Sequence, residues 1–161
     1  MDVLTERGQQ SLADERKARE IFLSNFPSYQ YIETQKNQPA DIDALIVRDG
    51  IIAGVVETKC RYDVNIEGFV ESYENSWLVT FDKITRGKQI ADAMCTKLIG
   101  FLYIVQSETL LVQTIADNGL YVPRITIATT QTQATINGRT AVRSNAYIDM
   151  TNARKLVMKT P

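Results

Sequence analysis

The chain of 161 residues contains no histidine, and this absence excludes several kinds of chemistry at once. Ser-His and Cys-His catalytic pairs, histidine general bases and histidine-containing zinc sites are all removed. Only two cysteines are present, Cys60 and Cys95, which are too few and too far apart for a zinc knuckle or a disulfide framework. We expect both to be small buried hydrophobic side chains, which fits a reducing cytoplasm.

Long hydrophobic runs are also lacking. Residues 1–8 carry charges and no apolar run, and no segment reaches the length of a transmembrane helix. We therefore expect a cytoplasmic protein that neither is secreted nor associates with membranes. Glycine (8) and proline (4) are sparse, and no linker or repeat is visible. With 44% hydrophobic residues, the sequence predicts one domain over residues 1–161.

The net charge of −1 does not indicate nucleic-acid binding, but the charges are unevenly distributed. Residues 118–161 hold six basic side chains and one acidic one, while residues 1–117 hold 12 basic and 18 acidic ones. An acidic part that binds cations next to a basic part that contacts phosphates is compatible with a nuclease. An incidental surface imbalance explains the charges equally well.

The spacing of apolar residues predicts the order helix, strands, helix, strands. Residues 11–26 form the first predicted helix, because Ala18, Phe22 and Phe26 recur at helical spacing and Pro27 ends the pattern. The other predicted elements are a strand at 29–33, an irregular segment at 61–76, a short apolar run at 77–81, a second helix at 83–99 capped by Gly100, strands at 101–105 and 110–115, and a hairpin or meander over 124–148 with a turn at Asn137-Gly138.

A hairpin is predicted where Asp49-Gly50 separates two runs of β-branched and aliphatic residues, 45–47 and 51–56. An Asp-Gly pair between such runs is the strongest short-range signal for two antiparallel strands. We therefore expect the start of the first strand, at residue 43, to lie next to the end of the second strand, at residues 57–59.

Three charged residues border this hairpin. Asp43 begins the first strand, opposite the end of the second strand. Glu57 and Lys59 end the second strand and lie two residues apart, so they share one face of the sheet. Two carboxylates and one ammonium group are therefore expected to converge. An exposed strand end with a Glu-Lys pair is the simpler alternative.

The order of elements, together with Asp43 and the sequence Glu57-Thr58-Lys59, resembles the PD-(D/E)XK nuclease superfamily over about residues 11–105. Ile42 stands where the named pattern has proline. The resemblance implies an α/β fold with a restriction-endonuclease-like core. In that fold a central mixed β-sheet is flanked by helices in the order αβββαβ, and the C-terminal β-hairpin is an extension.

A glutamate on the first helix completes the metal site in many members of this superfamily, and two residues compete for that position. Glu15 lies near the middle of the apolar stripe of the predicted helix, whereas Glu20 lies about 160° around the helix from it. A carboxylate on a buried face needs a partner or a metal. We prefer Glu15 and keep Glu20 as the alternative.

Phosphodiester hydrolysis needs an activated water molecule and shielding of negative charge, and Mg²⁺ or Mn²⁺ held by oxygen ligands supplies both. Asp43, Glu57 and Glu15 would provide carboxylate oxygens, and the resemblance implies the carbonyl of Thr58 as a further ligand. Lys59 would orient the attacking water or stabilise charge on the scissile phosphate. The expected catalytic residues are therefore Asp43, Glu57, Lys59 and Glu15, and Thr58 is expected only as a metal ligand.

Contacts to the substrate are predicted at two places, each with a simpler explanation. Lys83, Arg86 and Lys88 lie in the first turns of the second predicted helix, where cations and free amides meet phosphates, but solvated surface charge is the simpler explanation. Arg139 and Arg143 flank the predicted Asn137-Gly138 turn, and they either bind the DNA backbone or protect an edge strand.

The sequence thus predicts a Mg²⁺-dependent deoxyribonuclease, most simply an endonuclease, whose partner is DNA. DNA rather than RNA follows from the resemblance alone. The alternative is a non-catalytic or accessory DNA-binding or assembly protein on the same fold, active only with a partner. A homodimer or a partner protein that supplies part of the DNA-binding surface is compatible with both.

Overall fold

A computed structural model of the protein describes residues 5–36, 40–131 and 142–161. None of the described helices is long and apolar enough to cross a membrane. The helices and strands are, in chain order, α1 (Glu6–Asn25), β1 (Tyr29–Glu33), β2 (Ala44–Arg48), β3 (Ile51–Arg61), α2 (Ile66–Ser72), β4 (Ser76–Thr80), α3 (Phe81–Ala93), β5 (Lys97–Ile104), β6 (Thr109–Asp117), β7 (Leu120–Tyr121), β8 (Ile125–Gln131), β9 (Val142–Asp149) and β10 (Arg154–Leu156).

The main sheet has the strand order β1-β2-β3-β5-β6-β10, with β7 paired to β6. All neighbours are antiparallel except β3 and β5, which are parallel. A parallel pair needs a crossover connection, and here α2, β4 and α3 provide it. The predicted α/β class with a central mixed sheet flanked by helices is therefore confirmed.

The sheet lies between two helices, as its two clusters of buried side chains show. On one face, Ala18 and Phe22 of α1 pack with Val56 of β3. On the other face, Ile84 of α3 packs with Val55. Neighbouring residues of a strand point to opposite faces, so Val55 and Val56 mark the α3 face and the α1 face respectively.

Capping side chains fix the N-terminal ends of α1 and α2, which the spacing of apolar residues in the sequence does not show. Helix α1 begins five residues before the predicted start, because the hydroxyl of Thr5 accepts a hydrogen bond from the amide of Gly8 at 3.0 Å. Within the segment predicted to be irregular, α2 is a short helix capped by Asn65, which accepts from the amide of Gly68 at 2.7 Å. Its only buried residue is Phe69, so no apolar period marks it in the sequence.

The second predicted helix is wrong at its C-terminal end. Helix α3 ends at Ala93, and β5 already begins at Lys97. Cys95 turns the chain between them with a positive φ of 53°. Gly100 is therefore not a helix cap but lies in the middle of β5, where a side chain would overlap the ring of Trp77.

We expect Gly100→Ala to destabilise the protein by about 1–3 kcal/mol, the usual cost of overpacking a core. The added Cβ would lie closer to Trp77 Cζ3 than van der Waals contact allows, and 3.1 Å from Ile115 side-chain carbons. Both residues are fully buried. Urea denaturation measures the change, and Lys97→Ala at the exposed start of the same strand is the control. A Gly100→Ala variant as stable as this control would contradict the packing.

The C-terminal hairpin is joined to the rest of the protein by a second sheet of order β4-β9-β8, in which all pairs are antiparallel. Trp77 of β4 lies opposite Ile148 of β9, and both are buried against the α3 face. The predicted antiparallel strands are thus confirmed as the pair β8–β9, which supplies two of the three strands of this sheet rather than a free extension. Arg139 and the turn at Asn137-Gly138 lie outside the described residues.

Candidate active site

The hairpin predicted at Asp49-Gly50 is confirmed, and the two turn residues have positive φ angles of 53° and 75°. Its strands have unequal lengths, since β3 has 11 residues and β2 has five. The last residues of β3 therefore extend beyond the start of β2. There the amide of Thr58 donates to Oδ2 of Asp43 at 2.7 Å, so the Asp43 carboxylate takes the place of a β2 carbonyl.

A register shift inside this hairpin changes how Asp43 aligns with the end of β3. The β2–β3 ladder shifts by one residue within the hairpin. Glu57 alternates with Val55, so it belongs to the α3 face. Asp43 lies before β2, between Ile42 of the α3-face cluster and Ala44 of the α1-face cluster. Its carboxylate therefore lies at the edge of β3, beside Glu57.

Glu57 is a buried carboxylate, with a fractional exposure of 5%. Its Oε1 lies 3.4 Å from Nζ of Lys83 on α3, while its Oε2 is buried without a hydrogen-bond partner. Burial raises the pKa of Glu57 to about 8, and the negative charge of Asp43 raises it further, while the charge of Lys83 opposes this. At neutral pH the isolated site therefore favours a protonated Glu57.

Lys36, which follows β1, connects the helix-borne acid to the strand-borne acid. Its Nζ lies 3.7 Å from Oε2 of Glu15 and 3.5 Å from Oδ1 of Asp43, and it also donates to the Asp43 carbonyl at 3.3 Å. Burial, followed by the charge of Asp43, raises the pKa of Glu15, whereas Lys36 lowers it. Glu20, the alternative acid on α1, is exposed.

Among the described residues, Lys36 and Lys83 are the lysines that contact the carboxylates. Lys59, which the sequence predicted for this position, is not one of them. Lys59 is exposed and makes no hydrogen bond or ion pair with another described residue. Lys59 lies about 6.6 Å farther along the strand than Glu57 and is exposed, whereas Glu57 is buried. Sequence reasoning missed Lys36 entirely, because no motif or periodicity marks a loop lysine.

Within the described ranges, no three acidic or cysteine side chains form a group that could hold a metal ion as it stands. The donor types nevertheless suit Mg²⁺, since Glu15, Asp43 and Glu57 supply only oxygen. A buried carboxylate oxygen without a partner is costly, and a bound cation would relieve that cost. With Glu57 protonated, Lys36 and Lys83 balance the charges of Glu15 and Asp43, and a bound cation would favour the ionised form of Glu57 as a further ligand.

The sequence matches no family model. Comparison with curated protein sequences also finds no match. The function is therefore inferred from the geometry of the site and from the chemistry of its residues.

Next to the carboxylates, a groove of about 730 Å³ separates the N-terminus of α3 from the start of β9. Arg86 in this groove forms ion pairs with Asp41 and Asp82, each at 3.2 Å. The lining residues are Asp41, Thr80, Phe81, Asp82, Lys83, Thr85, Arg86, Val142, Arg143 and Ser144. Three of the five predicted substrate contacts, Lys83, Arg86 and Arg143, are thus brought together.

Lys88 is placed differently from the other predicted substrate contacts. It does not line the groove, because its Nζ pairs with Asp92 at 2.8 Å and lies 5.7 Å from the ring centre of Tyr121. Helix α3 begins at Phe81, so Arg86 and Lys88 lie beyond its first turn, where no backbone amide is free to bind an anion. Lys83 is the member of this set that lies in the first turn.

The two cysteines have different environments. Cys60 is buried, and burial raises the pKa of its thiol to about 12, whereas Cys95 is exposed. The expectation of a buried side chain is therefore wrong for Cys95, which lies in the turn after α3.

We expect a thiol reagent such as dithionitrobenzoate to modify one thiol per native chain, at Cys95, because only thiolates react and Cys60 stays protonated and covered. The released chromophore counts the modified thiols. Cys95→Ser should remove the native reaction, and both wild-type thiols should react in denaturant. Rapid modification of Cys60 in native Cys95→Ser would contradict its burial.

Proposed function

We propose that this protein is a Mg²⁺-dependent deoxyribonuclease with a restriction-endonuclease-like core, acting as an endonuclease. The observation that supports this most is the pair Asp43 and Glu57. The two carboxylates lie next to each other where β3 extends beyond the start of β2, and Glu57 keeps a buried oxygen without a partner. Structural carboxylates in a core are normally fully paired, so an incompletely paired set indicates a binding function.

The order of elements supports the proposed core. Helix α1, the meander β1–β3, helix α3 and strand β5 follow the order that the PD-(D/E)XK resemblance implies, with α2 and β4 as insertions before α3. The parallel pairing of β5 with β3 places the N-terminus of α3 beside the end of β3 that carries Glu57. Glu57 and the first turn of α3 therefore meet at this end of the sheet.

Asp43, Glu57, Glu15 and the Thr58 carbonyl would hold the metal ion. When bound, Mg²⁺ or Mn²⁺ would lower the pKa of a coordinated water and shield the charge of the phosphate. The chain itself fixes the ligands: the Thr58 amide and Lys36 orient the Asp43 carboxylate, and burial keeps bulk water away from Glu57.

The groove beside the carboxylates would receive the DNA backbone. Its cationic side chains are Lys83, Arg86 and Arg143, and most contacts between proteins and DNA go to phosphates. Arg86 is already neutralised by two aspartates, so the groove is only weakly positive among the described residues. This weak charge favours low affinity in the isolated chain and makes a homodimer or a partner protein useful for DNA binding.

A second candidate function is a non-catalytic or accessory DNA-binding or assembly protein that is active only with a partner. The arrangement of lysines favours it, since Lys36 and Lys83 already neutralise part of the acidic cluster and Lys59 contacts none of the carboxylates. In this case the carboxylates would stabilise the junction of α1, β2 and α3 without binding a metal.

Incubation of the purified protein with supercoiled, linear, single-stranded and branched DNA tests the proposal, with Mg²⁺, Mn²⁺ or EDTA in parallel and an RNA of matched sequence alongside. We expect cleavage with either metal and none in EDTA, and nicking of the supercoiled circle would show endonuclease activity. Binding of DNA without cleavage under all these conditions would favour the accessory protein. Cleavage that persists in EDTA would contradict the metal-dependent mechanism.

A further inference from the structure

Lys83 contacts the candidate metal site and also lines the groove beside it. Its Nζ lies 3.4 Å from Oε1 of the buried Glu57, and its side chain lines the groove at the start of α3. The Lys83 side chain is 51% exposed, whereas that of Glu57 is 6% exposed. A molecule in the groove can therefore reach the ammonium group of Lys83 and, through it, the position of the carboxylates.

The surroundings of Lys83 are suited to a phosphate. It is the third residue of α3, a helix of 13 residues whose N-cap Thr80 forms no side-chain capping hydrogen bond. The amides of the first turn and the helix dipole therefore add positive potential next to the ammonium group. The Oε2 of Glu57, buried without a hydrogen-bond partner, is an acceptor that a cation would satisfy, so a phosphate bound at Lys83 would lie beside the candidate metal position.

The other two cationic side chains that the structure describes in the groove, Arg86 and Arg143, form no ion pair with Glu57. Arg86 is held by Asp41 and Asp82 at 3.2 Å each. Arg143, on the β9 side of the groove, forms no ion pair with any residue that the structure describes, so it is available for a neighbouring phosphate. Lys83 is the groove cation that also contacts a carboxylate of the candidate metal site.

We infer that Lys83, and not Lys59, is the lysine that contacts the scissile phosphate, with its ammonium group bridging Glu57 and a non-bridging phosphate oxygen of a strand lying in the groove. This inference rests on the proposed nuclease function. Its basis is position, because the exposed Lys59 forms no ion pair with a described carboxylate, whereas Nζ of Lys83 lies 3.4 Å from Glu57.

Four variants test the inference. Lys83→Met keeps the aliphatic stem but removes the charge, and Lys83→Arg restores the charge. Lys59→Met measures the competing assignment, and Lys17→Met, at an exposed position of α1, is the control. Circular dichroism and thermal melting establish that each variant is folded. The affinity for a fluorescent DNA duplex in EDTA is measured at several salt concentrations, and single-turnover cleavage is measured at saturating protein with Mn²⁺.

For Lys83→Met we expect a weaker affinity and a slope of log affinity against log salt that is smaller by about 0.9, the value for one lost phosphate contact. The cleavage rate constant at saturation should fall on the order of a hundredfold, as expected for a lost charge-stabilising donor, and Lys83→Arg should recover part of it. Lys59→Met should lose far less, and Lys17→Met should match the wild type.

The outcomes separate the two proposals. If the wild type cleaves DNA and Lys59→Met, rather than Lys83→Met, loses the rate and the salt slope, the inference is wrong and the nuclease function stands. If the wild type never cleaves but Lys83→Met alone loses affinity and salt slope, the phosphate contact stands and the nuclease function is wrong. If Lys83→Met changes neither quantity, the inference is overturned whatever the wild type does.

Discussion

Replacing Glu57 by alanine is expected to abolish Mn²⁺ binding and DNA cleavage together. The Glu57 carboxylate lies next to that of Asp43, beside the start of β2, and its Oε2 is buried without a hydrogen-bond partner. Loss of a metal ligand removes several kcal/mol of transition-state stabilisation, so the rate should fall by at least on the order of a thousandfold. Asp43→Ala should behave in the same way.

Calorimetric titration with Mn²⁺ and single-turnover cleavage, on variants shown to be folded, provide the measurements. Glu15→Ala and Glu20→Ala form a matched pair on α1, because Glu15 shares Lys36 with Asp43 while Glu20 is exposed. Glu15→Ala should weaken Mn²⁺ binding, and Glu20→Ala should not. Unchanged cleavage by Glu57→Ala would exclude the nuclease assignment, and a loss in Glu20→Ala alone would show that the wrong face of α1 was chosen.

The second large effect concerns the pH dependence of stability. In the folded protein, burial raises the pKa of Glu57 to about 8 from an ordinary value of 4.5. Between these two values the folded state binds more protons than the unfolded state, so the contribution of Glu57 to stability falls as the pH rises. The full contribution is present below pH 4.5, and it is lost once the pH has passed 8. The total change is on the order of a few kcal/mol.

Glu57→Gln carries no titrating group at this position, so its free energy of unfolding should lack this decrease. Urea denaturation of both proteins at intervals from pH 5 to 9, without metal, measures the difference between them. We expect the difference to shift in favour of Glu57→Gln as the pH rises. Its slope is the decisive quantity, since Lys83 loses its partner in the variant at every pH. Parallel stability curves would show that Glu57 is ionised throughout and well solvated.

The sequence by itself determined the features that depend on neighbouring residues. Asp49-Gly50 fixed the turn of the β2–β3 hairpin, because few residue pairs accept two positive φ angles in succession. The period of the apolar residues located α1, and helical phase indicated that Glu15 and not Glu20 lies on the side facing the sheet. The α/β class followed from the order of these local patterns.

Only the tertiary structure decided what depends on residues far apart in the chain. The register shift in the β2–β3 ladder and the hydrogen bond from the Thr58 amide set where Asp43 lies relative to Glu57, and no local pattern announces them. Gly100 lies in β5 because its segment pairs with β3 and β6, and the ring of Trp77 packs against it. Lys36 contacts the carboxylates from a loop and Lys83 contacts them from α3. The fold brings these oppositely charged side chains together, although most of them are far apart in the chain. Spacing in the sequence therefore predicted which acidic residues lie close together. It did not predict the lysines that pair with them, because those contacts depend on distances in the folded chain.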